Sequence, residues 1–152
     1  LFRSGRDTVG GHISTGKAHQ VLKKELKEKG VLVEEICTEM GISDTEYYEK
    51  IARSCLEAYP DADGVFGSDS VCIPFLFQAA EMGIDVLDKM KIITYDATAV
   101  TRTVYPKISG VGQKIDEISR TLTDTLIKKI NGEKTEEKQV LDVFWQDGET
   151  CL

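Results

Sequence analysis

Short apolar runs alternate with amphipathic stretches along this chain, and that alternation restricts the fold more than any other feature. Leu1–Ser4 reads as the end of a strand. A glycine-containing loop follows, and then a helix from Ser14 to Lys29 with Ala18, Val21, Leu22 and Leu26 on one face, stopped by Gly30. Val31–Cys37 is the next strand. Ser43 and Glu46 form a capping box for a second helix, which carries Tyr48, Ile51, Ala52, Cys55, Leu56 and Tyr59 at helical spacing. Gly64–Gly67 reads as a buried strand, Ser70–Met82 as a helix and Lys91–Tyr95 as a strand. A threonine-rich loop, Asp96–Pro106, leads to an extended segment, Ile108–Gln113. A helix from Ile115 to Ile130 is expected to bury Ile118, Leu122 and Leu126 before Asn131-Gly132 closes it, and Val140–Trp145 is the last expected strand.

Such alternation predicts an α/β fold, a parallel sheet flanked by helices on both faces. In such sheets ligands bind beyond the carboxyl ends of the strands. That rule selects three loops: Gly5–Ser14, Ser68–Ser70 and Asp96–Pro106.

The 152 residues suffice for one domain. They include 19 basic and 26 acidic residues, a net charge of −7, which argues against a nucleic-acid surface within this chain. The densest basic run, Lys23–Lys29, is interrupted by Glu25 and Glu28 and reads as a solvated helix face. The cysteines at 37, 55, 72 and 151 stand far apart, without the paired spacing zinc requires, and suit a reducing compartment. No apolar run approaches the roughly 20 residues that cross a bilayer. The chain opens at Leu1 with no initiating Met, so an upstream segment is expected to be missing.

Candidate chemistry is sparse. Gly11–Ala18 nearly spells a phosphate-binding loop, but Ala18 stands where a hydroxyl would hold magnesium, leaving a glycine-rich turn that opens a helix. His12 and His19 have no carboxylate at metal-ligand spacing, and no serine elbow is present. Asp69 and Asp96 fall at neighbouring strand ends, where carboxylates can accept hydrogen bonds from hydroxyls or do acid–base work. Val71–Ala80 holds a single polar residue, Gln78. A helix apolar on nearly all sides packs on the sheet and on something further, a partner subunit or more core.

From Asp63 onward the residues resemble the Lac-repressor/Gal-repressor family of transcription regulators. The resemblance is carried by Asp63-Gly64-Val65-Phe66, Asp69, Gly83-Ile84, Ile92-Ile93-Thr94-Tyr95-Asp96, Pro106–Gln113, Leu126–Gly132, and Leu141–Phe144 with Gly148-Glu149-Thr150. It implies an effector-sensing fragment of a regulator whose DNA-binding helix-turn-helix lies upstream. Residues 1–113 would form the C-terminal effector-binding lobe, 114–132 the helix crossing to the other lobe, and 133–152 the return strand and tail. Further implications are a sugar-like small-molecule effector, operator DNA bound through the missing part, a homodimer and a cytoplasmic setting. No catalysis, cofactor, metal or membrane is involved. Asp69, Asp96, Lys17 and Ser14 become the effector-binding candidates, Gln113 the hinge, and Ile73, Phe75, Leu76 and Phe77 the dimer interface. The sequence departs from the family's pattern at Lys17, where an arginine is usual nearby, and at Ala97 and Thr94, where the pattern has Asp and Gly. The competing reading is the sugar-binding component of an ABC-type transporter, whose lobes share this fold.

Overall fold

The computed structural model describes residues 2–4, 13–34, 36–38 and 44–152, with side chains for 20–34 and 44–152. Most of the expected Gly5–Ser14 loop, the start of the Gly11–Ala18 run, and Ser43 lie outside the described residues. So do the side chains of Ser14 and Lys17.

Among the described residues two ladders make up the sheet structure. Strands β1 (Phe2–Ser4) and β2 (Ile36–Thr38) pair in parallel, with Phe2 opposite Ile36, and β1 runs beside β3 (Gly64–Gly67). The larger ladder runs β3, β4 (Lys91–Thr94), β5 (Ser109–Gln113), β6 (Val143–Gln146). Val65 stands opposite Ile92, and Thr94 opposite Gly110. The last strand breaks the parallel expectation: β6 runs antiparallel to β5, with Val111 opposite Trp145 and Gln113 opposite Val143. A parallel partner is reached only when the connecting helix packs back across the sheet. Helix α5 (Ile115–Ile130) does not, because none of its residues is buried. The expected burial of Leu122 and Leu126 is thereby corrected. Both are exposed, while Ile118 is half-buried.

The other helices form a layered core. Helix α3 (Asp69–Glu81) lies on the sheet, and α2 (Thr45–Ala58) packs on α3. Ala52, Cys55 and Leu56 of α2 meet Val71, Phe75, Leu76 and Ala79 of α3, with Val65 and Ile92 beneath. Because α3 is covered by the sheet on one side and α2 on the other, it needs apolar residues nearly all round. That accounts for Val71–Ala80 without a second subunit. Cys55 and Cys72 are buried free thiols, and burial pushes the Cys55 thiol up to about 11. Helix α1 (Ile13–Glu28) forms as expected, but the expected strand Val31–Cys37 is reduced to β2, with 31–34 irregular. Asp44, not Ser43, caps α2: its carboxylate accepts from the Glu46 N–H at 3.0 Å. A short helix, α4 (Val86–Lys89), is likewise capped by Asp85 and fills the link to β4.

The tail closes the lobe. Thr150, fully buried, donates to the Ile92 carbonyl at 2.6 Å and accepts from the Ser109 N–H at 3.0 Å, tying the ends of β4 and β5 together. Gly148 approaches the Ile108–Ser109 backbone so closely that a Cβ would sit 2.5 Å from the Ser109 nitrogen.

Candidate functional site: a cleft at the carboxyl ends of the strands

An open cleft of about 450 Å³ lies beyond the carboxyl ends of β3 and β4. The start of α2 contributes Thr45 and Tyr48, the first turns of α3 contribute Asp69, Ser70, Ile73 and Pro74, and the β4–β5 loop contributes Asp96, Thr98 and Val100. Pro74 has no N–H to give the Ser70 carbonyl one turn earlier, so α3 leaves that oxygen without its helical donor beside the cleft.

The two aspartates divide their roles by their surroundings. Asp69 is 7% exposed, and its carboxylate accepts from the hydroxyls of Thr94 and Thr98 and from the Thr98 N–H at 2.9 Å. Thr94 in turn accepts from the Asp96 N–H at 3.3 Å. The loop from 94 to 98 is therefore folded around one buried carboxylate. It holds Ala97 at φ 41°, in the left-handed region that costs a residue with a Cβ about 1–2 kcal/mol. The family pattern has Asp there, a residue that tolerates this conformation better.

Asp96 is the more open of the pair. It is half-buried, and burial first and the neighbouring Asp69 charge second raise its pKa above the ordinary carboxylate value. The Asp69 backbone N–H hydrogen-bonds to its carboxylate and acts in the opposite direction. That contact places Asp96 at the N-terminus of α3. Ser68, the residue preceding the helix, makes no side-chain capping bond. Tyr48 presents a phenol whose pKa is likewise raised, by burial and then by Tyr47, whose ring stands edge-on at 5.2 Å.

The structure therefore brings Asp69 and Asp96 together as the sequence suggests, but it turns Asp69 inward. Ser70 and Thr98 lie in two of the loops selected from the sequence but were not singled out as site residues, and Thr45 and Tyr48 were missed. The strand-end rule applies equally to the β2–α2 connection and would have pointed to Thr45 and Tyr48. Ser14 and Lys17 belong to α1, and the positions of their side chains are outside the described residues. Gln113 ends β5, exposed and paired with Val143. The four expected interface residues separate. Phe75 and Leu76 are buried in the core of this chain and have no surface to offer, a correction that follows from α2 covering that side of α3. Ile73 lines the cleft, and only Phe77 is well exposed.

Acids and hydroxyls set the cleft's chemistry. Among the described lining residues, the only formal charges are those of Asp69 and Asp96, and the rest are hydroxyls, an aromatic ring and apolar side chains. Such a wall accepts hydrogen bonds from ligand hydroxyls and stacks a carbon skeleton against Tyr48 and Ile73.

Residues 9–151 match the family model of the periplasmic binding protein-like domain. The sucrose operon repressor of Streptococcus mutans is 33% identical over 89 residues, covering 58% of this chain and 28% of that protein. The ribose operon repressor of Halalkalibacterium halodurans is 31% identical over 97 residues, 63% of this chain and 28% of that protein. The matched stretch of this chain thus spans under a third of the length of either repressor. Among solved structures, a LacI family transcriptional regulator from Arthrobacter sp. FB24, in complex with lactose, superposes with a TM-score of 0.82. It is 19% identical over 99% of this chain and 56% of that one. The matched span takes in both the cleft and the returning strand β6, and the chain belongs to the periplasmic binding protein-like domain family.

Proposed function

We propose that this chain is the effector-sensing part of a Lac-repressor-type transcriptional regulator, and that its cleft takes a neutral, polyhydroxylated effector of sugar type. The observation that carries this reading is the composition of the cleft wall, with Asp96 open and the hydroxyls of Thr45, Ser70 and Thr98 around it. The sucrose and ribose operon repressors among its relatives support a sugar over other small molecules, and a regulator over a transporter component. The chain acts by binding, without catalysis. Operator DNA is held by a part outside this chain, a reading that the net charge of −7 supports, and the protein works as a cytoplasmic homodimer.

In this reading residues 1–113 form one lobe, α5 crosses to a second, and β6 returns. Gln113 and Val143, paired where β5 ends and β6 begins, mark the hinge. An effector that favours one arrangement of the lobes changes operator affinity, and operator must change effector affinity by the same factor.

The test uses the longer protein encoded by the source gene and a fluorescent duplex of its own upstream DNA. Sucrose, ribose, lactose and cellobiose are titrated in turn while anisotropy reports DNA binding. One of them should shift the DNA affinity. Asp96→Ala should weaken that sugar by about 10- to 150-fold, the worth of one charged hydrogen bond, while DNA binding without sugar persists. Sugar binding with no DNA binding at all would favour the transport component.

A further inference from the structure

Gln146, on β6, is buried at 6% exposure, yet it reaches the cleft wall through a run of hydrogen bonds. Its Nε2 donates to the Thr101 hydroxyl at 2.8 Å and to the Ile108 carbonyl at 3.0 Å. The Thr101 hydroxyl, fully buried in the 3-10 turn Ala99–Arg102, donates in turn to the Thr98 carbonyl at 2.7 Å. Thr98 is the residue whose N–H and hydroxyl grip Asp69.

An amide is a costly choice at this position. Gln146 Oε1 has no partner among the described residues, and a methionine would fill similar space without burying an unpaired acceptor. Turning the amide over gives no relief, since its oxygen would then face the Ile108 carbonyl, acceptor against acceptor. What glutamine supplies and methionine cannot is two donated hydrogen bonds where β6, the 3-10 turn and the start of β5 meet. The strand that carries it is the one paired with β5 through Gly110–Gln146 to Gln113–Val143.

We propose that Gln146 is a positioning residue for the cleft: through Thr101 it fixes Thr98, and so the Asp69 clamp that aims Asp96, coupling the returning strand to the ligand-binding loop. The consequence for ligand affinity rests on the effector reading above, whereas the relay itself can be tested with no effector present.

The experiment is amide hydrogen exchange in the full-length protein, comparing wild type with Gln146→Met. Exchange at Thr98, whose N–H is held by Asp69, should accelerate by about tenfold or more, while amides in the α2–α3 core such as Leu56 and Ala79 keep their wild-type rates. Whichever of sucrose, ribose, lactose and cellobiose binds wild type should bind the variant more weakly by a similar factor. Should Gln146→Met fail to fold, Thr101→Val breaks the same link and is read the same way. Unchanged exchange at Thr98 overturns the proposal. A uniform acceleration across the core also overturns it, because Gln146 would then be packing alone. If wild type binds none of the four sugars, the effector reading is what fails, and the exchange rates still judge the relay.

Discussion

Asp69 and Asp96 both fall at the ends of neighbouring strands, and only their surroundings tell them apart. Asp69 accepts three hydrogen bonds from Thr94 and Thr98, so neutral donors replace water around its carboxylate inside the lobe. Asp96 is half desolvated and lies against a like charge, so its ionised form is disfavoured in the folded state. A carboxyl whose folded pKa lies above its unfolded value binds more protons when native, so this group's contribution to stability falls as pH rises through that interval. Asp96→Asn keeps an acceptor for the Asp69 N–H and removes the charge. In thermal melts at pH 7 the variant should match or exceed wild type, and the gap should close as the buffer is acidified below the raised pKa. A variant that melts lower than wild type at pH 7 would show that the site welcomes the charge. The residue best suited to hold a ligand hydroxyl is in this account one that costs the empty lobe stability.

Among the elements, the tail is the least conspicuous in sequence and among the most consequential in structure. Thr150 gives one hydroxyl to two strands at once. Thr150→Val retains the volume, but it leaves the Ser109 N–H buried with no acceptor and the Ile92 carbonyl without that donor. Denaturant titration should show a loss of about 2 kcal/mol, with the m-value unchanged. A loss below a few tenths would mean that water replaces the hydroxyl. The strands β3 and β4 and the helices α2, α3 and α5 were legible because each has one dominant period or a buried apolar run. The direction of β6 was not. Val140–Trp145 reads the same whether the chain returns parallel or antiparallel, and only the absence of buried residues on α5 decides it. The inward turn of Asp69 was equally hidden, since its partners Thr94 and Thr98 lie 25 and 29 residues away. Thr45 and Tyr48 reach the cleft from a helix whose own periodicity concerns only its packing against α3. Gln146 falls one residue past the expected strand Val140–Trp145, and its buried contacts are with the 3-10 turn and the start of β5, which the sequence does not bring together.

At the scale of the whole molecule, apolar side chains are exposed at several places among the described residues, and two of them bear on assembly. On α5, Leu122 and Leu126 are 65% and 59% exposed, and Phe77, on the outer side of α3, is 47% exposed. A lobe that shows both is built to be covered. In the proposed two-lobed reading α5 faces the other lobe, and Phe77 is the residue through which the copies of the proposed homodimer would meet. Phe75 is the informative neighbour. It sits two positions earlier on the same helix but is 3% exposed, within the core shared with α2. Phe75→Ala should therefore act on folding, costing about 3–5 kcal/mol in urea denaturation of the full-length protein, and should be silent about assembly. Phe77→Asp should leave the urea midpoint close to wild type and halve the mass measured by light scattering, because a charge at the centre of a symmetric interface meets its own copy. A dimer that survives Phe77→Asp would move the interface off α3. Leu122→Glu with Leu126→Glu would then test whether the exposed face of α5, rather than α3, joins the copies.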